Sequence, residues 1–138
     1  MQLPEHLLAV VEPNEADETS IDMAADLVAR GGKATVLMLV NQQVRDDFRR
    51  FADSEDLLAH VGEAMALERL VNGYTSRIGG ESTEVIVTNW TSPVRELLEV
   101  AAELRATSIV IPQRLAARRG LRRLVSDTTL PVLIAPAA

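Results

Sequence analysis

Cysteine is absent from the 138 residues. That removes disulfides, thiolate metal ligands and cysteine nucleophiles together, and it fits a reducing cytosol. Histidine is nearly absent as well. His6 and His60 lie far apart in the chain, and neither has a second histidine or a carboxylate at ligand spacing, so no metal site and no histidine base is expected. Lysine is scarce to the point that thirteen of the fourteen basic residues are arginine. The opening segment, Met1-Gln-Leu-Pro-Glu-His6, has neither a basic n-region nor an apolar h-region, so no signal peptide is expected. The longest apolar runs, such as Ala34 to Val40, are far too short to cross a bilayer, and no membrane association is expected. A formal net charge of −6 argues against nucleic-acid binding, which needs a broad basic face. The expected compartment is the cytoplasm.

What is present is a regular alternation of short apolar runs and amphipathic segments. With 47% hydrophobic residues the chain can bury a core of its own, and residues 1–138 read as one domain. His6 to Val11 is an uninterrupted apolar run, the mark of a strand covered on both faces, and Glu12-Pro13-Asn14 stops it. A helix follows from Asn14, with an acidic first turn and Ile21, Ala24, Ala25 and Val28 on one face; Gly31-Gly32 ends it. Lys33 to Val40 is a second buried strand, reached by a right-handed parallel crossover. The stretch from Asn41 to Gly80 is polar at first, with Phe48 and Phe51 tacking that part down, and within it a helix is expected from about Ser54 to Ile78. A third strand lies within Ser82 to Asn89. Ser92 then caps a helix with Pro93 at its first position. Ser108 to Pro112 is the fourth strand, Leu115 to about Asp127 the last helix, and Pro131 to Ala135 the fifth strand. The pattern predicts an α/β domain: a five-stranded parallel open sheet, flavodoxin- or Rossmann-like, with helices on both faces.

In such a sheet ligands sit beyond the carboxyl ends of the strands, in loops that lead into helices. The loop after strand four carries Arg114, Arg118, Arg119, Arg122 and Arg123 within ten residues. On a helix Arg118 shares a face with Arg122, and Arg119 with Arg123. Two readings stand side by side. The arginines form either a solvated or partner-pairing face, covering apolar surface with their stems, or an anion site, since guanidinium forks hold phosphate bidentately. No residue reads as catalytic. Ser20, Ser92 and Ser126 occur in no nucleophile context, and Asp46, Asp47, Asp53 and Asp56 form a charged surface with no glycine-turned loop to organise a cation.

Three pieces of the sequence, Leu7-Leu-Ala-Val-Val-Glu12, Thr91-Ser-Pro-Val-Arg95 and Gly120-Leu-Arg-Arg-Leu124 through Leu130-Pro-Val-Leu-Ile-Ala135, give it a resemblance to the universal stress protein family that runs nearly end to end. The resemblance implies a parallel five-stranded domain, a dimer joined through the last strands, and in many members ATP binding. In the family a Val-Asp pair closing strand one lies by adenine and ribose; the matching pair here is Val11-Glu12, with Pro13 in place of glycine. ATP-binding members also carry Gly-x-x-Gly after strand four, and Gly-Ser or Gly-Thr at the last helix. Here Pro112 and Leu115 stand at the first two glycine positions, and the third element is missing. Proline offers no amide hydrogen, so the backbone cradle for phosphates is lost.

The resulting expectation is a non-enzymatic stress-response or regulatory domain with unnamed protein partners. It would form a homodimer through Pro131, Val132, Leu133, Ile134 and Ala135, and would not bind ATP in the family's usual manner. The alternative is an adenine-nucleotide protein (ATP or AMP), or one for another phosphorylated small molecule. Val11, Glu12, Pro13, Leu39, Ile111 and Pro112 would then lie at base and ribose, with Arg114 and Arg118 on the phosphates. ATP hydrolysis is a weaker third reading, for which no residue can be named.

Overall fold

The computed structural model describes residues 5–13, 18–79, 84–89, 93–117 and 128–136. Five strands, β1 (His6–Val11), β2 (Lys33–Val40), β3 (Glu84–Asn89), β4 (Ser108–Pro112) and β5 (Val132–Ala135), form one sheet in the order β3-β2-β1-β4-β5. Every neighbouring pair is parallel, with Leu8 of β1 opposite Thr35 of β2 on one side and Ile109 of β4 on the other. The helices are α1 (Glu18–Ala29), α2 (Gln42–Ser54), α3 (Ala59–Ile78), α4 (Pro93–Leu104) and the single turn α5 (Gln113–Ala116).

The strands are apolar throughout because both faces of the sheet are covered. Along β1, Leu7, Ala9 and Val11 join a core packed against α1, α2 and α3, while Leu8 and Val10 join a second core under α4 and α5. Side chains alternate across a strand, so one hydrophobic run supplies both layers. The two faces follow from right-handed crossovers: β1 to β2 to β3 runs in one direction, and β3 to β4 to β5 returns past β1. β1 is therefore the central strand, and the chain diverges at its carboxyl end.

α1 ends as the sequence indicates: Gly31 takes a left-handed conformation at φ 92°, and the Gly32 amide donates back to the Leu27 carbonyl at 3.0 Å. The fifth strand begins at Val132 because Pro131 has no N–H to give the ladder; its carbonyl still accepts from the Ile109 amide at 3.0 Å. Pro93 opens α4. Asn14, the Ser92 cap and the helix expected after Ala117 lie outside the described residues. His6 is a structural residue. Its Nε2 meets the Thr35 hydroxyl at 2.8 Å, and partial burial lowers its pKa by disfavouring the charged ring.

The segment after β2 departs from expectation. Where one helix is expected from about Ser54, two helices form, and Ser54 is the last residue of the first. α2 escaped notice because its buried stripe is only Val44, Phe48 and Ala52, at four-residue spacing among polar neighbours. Asn41 starts it, its side-chain oxygen accepting from the Val44 amide at 2.9 Å. Its end is a tight reversal: Asp56 is left-handed at φ 52°, and the Leu57 amide donates to the Ala52 carbonyl at 2.8 Å. The chain then doubles back, and α3 crosses α2 at Gly62.

That crossing admits no side chain. A Cβ built on Gly62 would lie 2.3 Å from the Ala52 Cβ and 2.7 Å from its Cα, neither of which can rotate away. Gly62→Val should therefore cost about 2 kcal/mol by overpacking, seen as a lower urea midpoint at unchanged m. Gly73→Ala, on the same helix but with nothing within 4 Å of its added methyl, should instead stabilise by about 0.5–1 kcal/mol through helix propensity.

Candidate functional site

At the carboxyl ends of β1, β2 and β4 three polar side chains converge. Glu12, immediately after β1, is wholly buried at 0% exposure. Asn41, after β2, donates from Nδ2 to Glu12 Oε2 at 2.6 Å. Arg114, in the first turn after β4, donates from Nη2 to Glu12 Oε1 at 3.3 Å and keeps 31% of its side chain exposed. Asn41 thus works at both ends, its oxygen on the α2 amide and its nitrogen on the carboxylate. Reversing the amide would set oxygen against carboxylate, so the network itself fixes the orientation.

The site lies at the point where strand order reverses, which is where doubly wound sheets take their ligands. The Glu12 and Arg114 charges cancel there. Pro112 caps α5 with no side-chain hydrogen bond and no amide hydrogen of its own, and α5 runs for only four residues. Among the described residues no group of three His, Cys, Asp or Glu side chains could hold a metal ion. No described helix is long and apolar enough to cross a membrane.

Of the eight residues expected at a nucleotide, the structure brings Glu12 and Arg114 together, but as partners of each other. Val11, Leu39 and Ile111 do not form the expected common wall. Each is 0% exposed, and Val11 faces the core under α1 and α3 whereas Leu39 and Ile111 face the opposite one. Pro112 is buried with β4. Pro13 is half-buried at one end of a groove between α2 and α3, a cavity of about 330 Å³ that reaches Phe48, Phe51 and Arg69. Arg118, with Arg119, Arg122 and Arg123, lies outside the described residues. Asn41 was missed, although an Asn between a strand and a polar segment with an apolar residue three positions on has the form of an N-cap.

Sheet order, crossovers and crevice define a doubly wound α/β domain with its candidate site between diverging strands. The universal stress protein family model matches residues 4–134, and the chain belongs to that family. Solved structures agree in fold across almost the whole length. A universal stress protein in complex with cAMP superposes with a TM-score of 0.63 at 13% identity, covering 99% of this chain and 100% of that one. The universal stress protein from Archaeoglobus fulgidus in complex with dAMP gives 0.59 at 18% identity, covering 98% and 99%. A member of the family from Burkholderia pseudomallei gives 0.58 at 16% identity, with 96% of each chain covered. No curated protein is significantly similar to the chain.

The pair makes a specific demand on stability. Arg114→Ala would strand a buried carboxylate and should cost about 3 kcal/mol, the low end for a broken buried pair because Arg114 is partly exposed. Removing both charges, with Glu12→Gln and Arg114→Met, should recover most of that loss. Urea unfolding of the two variants measures it; equal losses for the single and double variants would mean that the pair is not coupled.

Proposed function

We propose that the chain is a non-enzymatic, cytoplasmic universal-stress-protein-like domain whose nucleotide crevice is closed by its own ion pair. It acts as a homodimer through protein partners. One observation carries the reading: Arg114 reaches across the switch point to a carboxylate with no exposed surface. A phosphate recruiting Arg114 would have to take the guanidinium from Glu12. Leaving that buried charge without its counter-charge costs about 3 kcal/mol, or roughly a hundredfold in affinity. With Pro112 where an amide would otherwise meet the phosphates, little remains to offset the loss.

A second reading has support from two relatives in fold, which hold cAMP and dAMP. Both are monophosphates, so a single arginine would suffice, and Arg114 and Arg118 would serve AMP better than ATP. Thermal-shift titration with ATP, ADP, AMP and cyclic AMP at low and physiological salt separates the two. A ligand at a hundredfold excess over its Kd stabilises the native state by ~2.7 kcal/mol, several degrees for a domain of this size. The closed crevice predicts no shift at millimolar nucleotide. A salt-sensitive shift with AMP, lost in Arg114→Ala, would establish the second reading.

The dimer proposal rests on β5. It is an edge strand, and Leu133 and Ile134 are 42% and 44% exposed, an apolar edge that soluble proteins ordinarily cover. Two copies meeting there across a two-fold axis would hide both edges. Light scattering should give twice the 15.0 kDa chain mass at tens of micromolar, and Leu133→Glu should shift it to one chain. A monomeric wild type would end this part.

A further inference from the structure

We propose that the groove between α2 and α3 is a binding site for small aromatic carboxylates, separate from the crevice at Glu12. The chain has two phenylalanines, Phe48 and Phe51, and both line this groove from the same short helix. Val44 and Leu70 complete an apolar lining, and Pro13 closes the end nearest β1. At about 330 Å³ the cavity is at the lower end of the range for small-ligand pockets.

Its rim supplies the polar specificity. The Arg69 guanidinium sits 5.1 Å from the centroid of the Phe51 ring, and among the described residues Arg69 makes no ion pair. Among the described lining residues the one acid is Asp47, whose Oδ1 already accepts from Arg50 Nη2 at 2.5 Å and Gln43 Nε2 at 3.0 Å. Among the described lining residues Asp47 is paired with Arg50, and Arg69 adds a positive charge on a molecule of net −6. A flat apolar body with one negative group matches both features. The ring fills the space between Phe48, Phe51 and Leu70, and the carboxylate takes the outward donors of Arg69 as a fork. A nucleotide fits poorly here, because apart from Arg69 and the already engaged Asp47 the described lining offers its sugar no polar side chain.

The groove exists because α2 and α3 touch closely at one place. Ala52 and Gly62 bring the helices into close contact near the reversal, and the groove is lined by residues of both helices and by Pro13.

The probes are 2-naphthoate and its neutral isostere 2-naphthamide, titrated calorimetrically into wild type and Arg69→Met, which keeps an apolar stem. Naphthoate should saturate one site per chain, and Arg69→Met should weaken it about tenfold, the worth of a charge-assisted hydrogen bond. Naphthamide should bind both proteins equally and more weakly than naphthoate binds wild type. Backbone amide shifts on titration should concentrate on 42–54 and 59–78. The proposal is overturned if naphthoate shows no saturable binding to wild type. It is equally overturned if naphthoate binds Arg69→Met as tightly, or if the perturbed amides lie at Glu12 and Arg114. Because none of these readouts depends on nucleotide binding, they are independent of the fate of the closed-crevice reading.

Discussion

A carboxylate with no access to water is the constraint around which the carboxyl face of this domain is arranged. An isolated charge in such a place is untenable, so Glu12 must be met by donors wherever the fold puts it. The fold puts it at the end of the central strand, and the donors come from the strands on either side, Asn41 beyond β2 and Arg114 beyond β4. One buried charge thereby ties three strand ends. Through Asn41 the tie extends to α2, because the same side chain supplies that helix's first hydrogen-bond acceptor. Position of the helix, orientation of the amide and pairing of the arginine are consequences of satisfying one group.

The same arrangement bears on what an arginine at this place can offer an anion. A guanidinium beside a crevice attracts phosphate only to the extent that its charge is uncommitted. Arg69 and Arg114 make the contrast within one molecule. Arg114 faces a buried acid that it cannot leave cheaply, whereas Arg69 lies over an aromatic ring, a weaker and more replaceable contact. Counting basic residues along the sequence gives both the same weight; the partner each one meets decides what it can do.

How far the sequence could be read follows from which signals are local. Strands covered on both faces announce themselves as apolar runs, so β1, β2 and β4 were legible to the residue, and with the crossover rule they yield the sheet. Glu12 and Arg114 were legible as residues of the site because each follows a strand. Their pairing was not, since 102 positions separate them and only the reversal of strand order makes them neighbours. Val11, Leu39 and Ile111 illustrate a different limit. A run that is apolar at every position carries no period-two signal, so it cannot say which side chains share a face. α2 marks a third limit, where three buried residues within thirteen fall below any periodicity that could be trusted.

Fold agreement with the solved relatives at 12% to 18% identity follows from the same physics. The sheet asks each strand for apolar side chains on both faces and each helix for one apolar stripe, conditions that many residue choices meet. The site asks for particular atoms at particular distances, conditions few choices meet. Substitution can therefore run far in the core while the fold stands, whereas a single residue at the crevice alters which donors and charges it presents. In this chain Pro112 and Arg114 fall at that one turn, within three residues of each other. The helical hairpin of α2 and α3 offers a cavity of different chemistry.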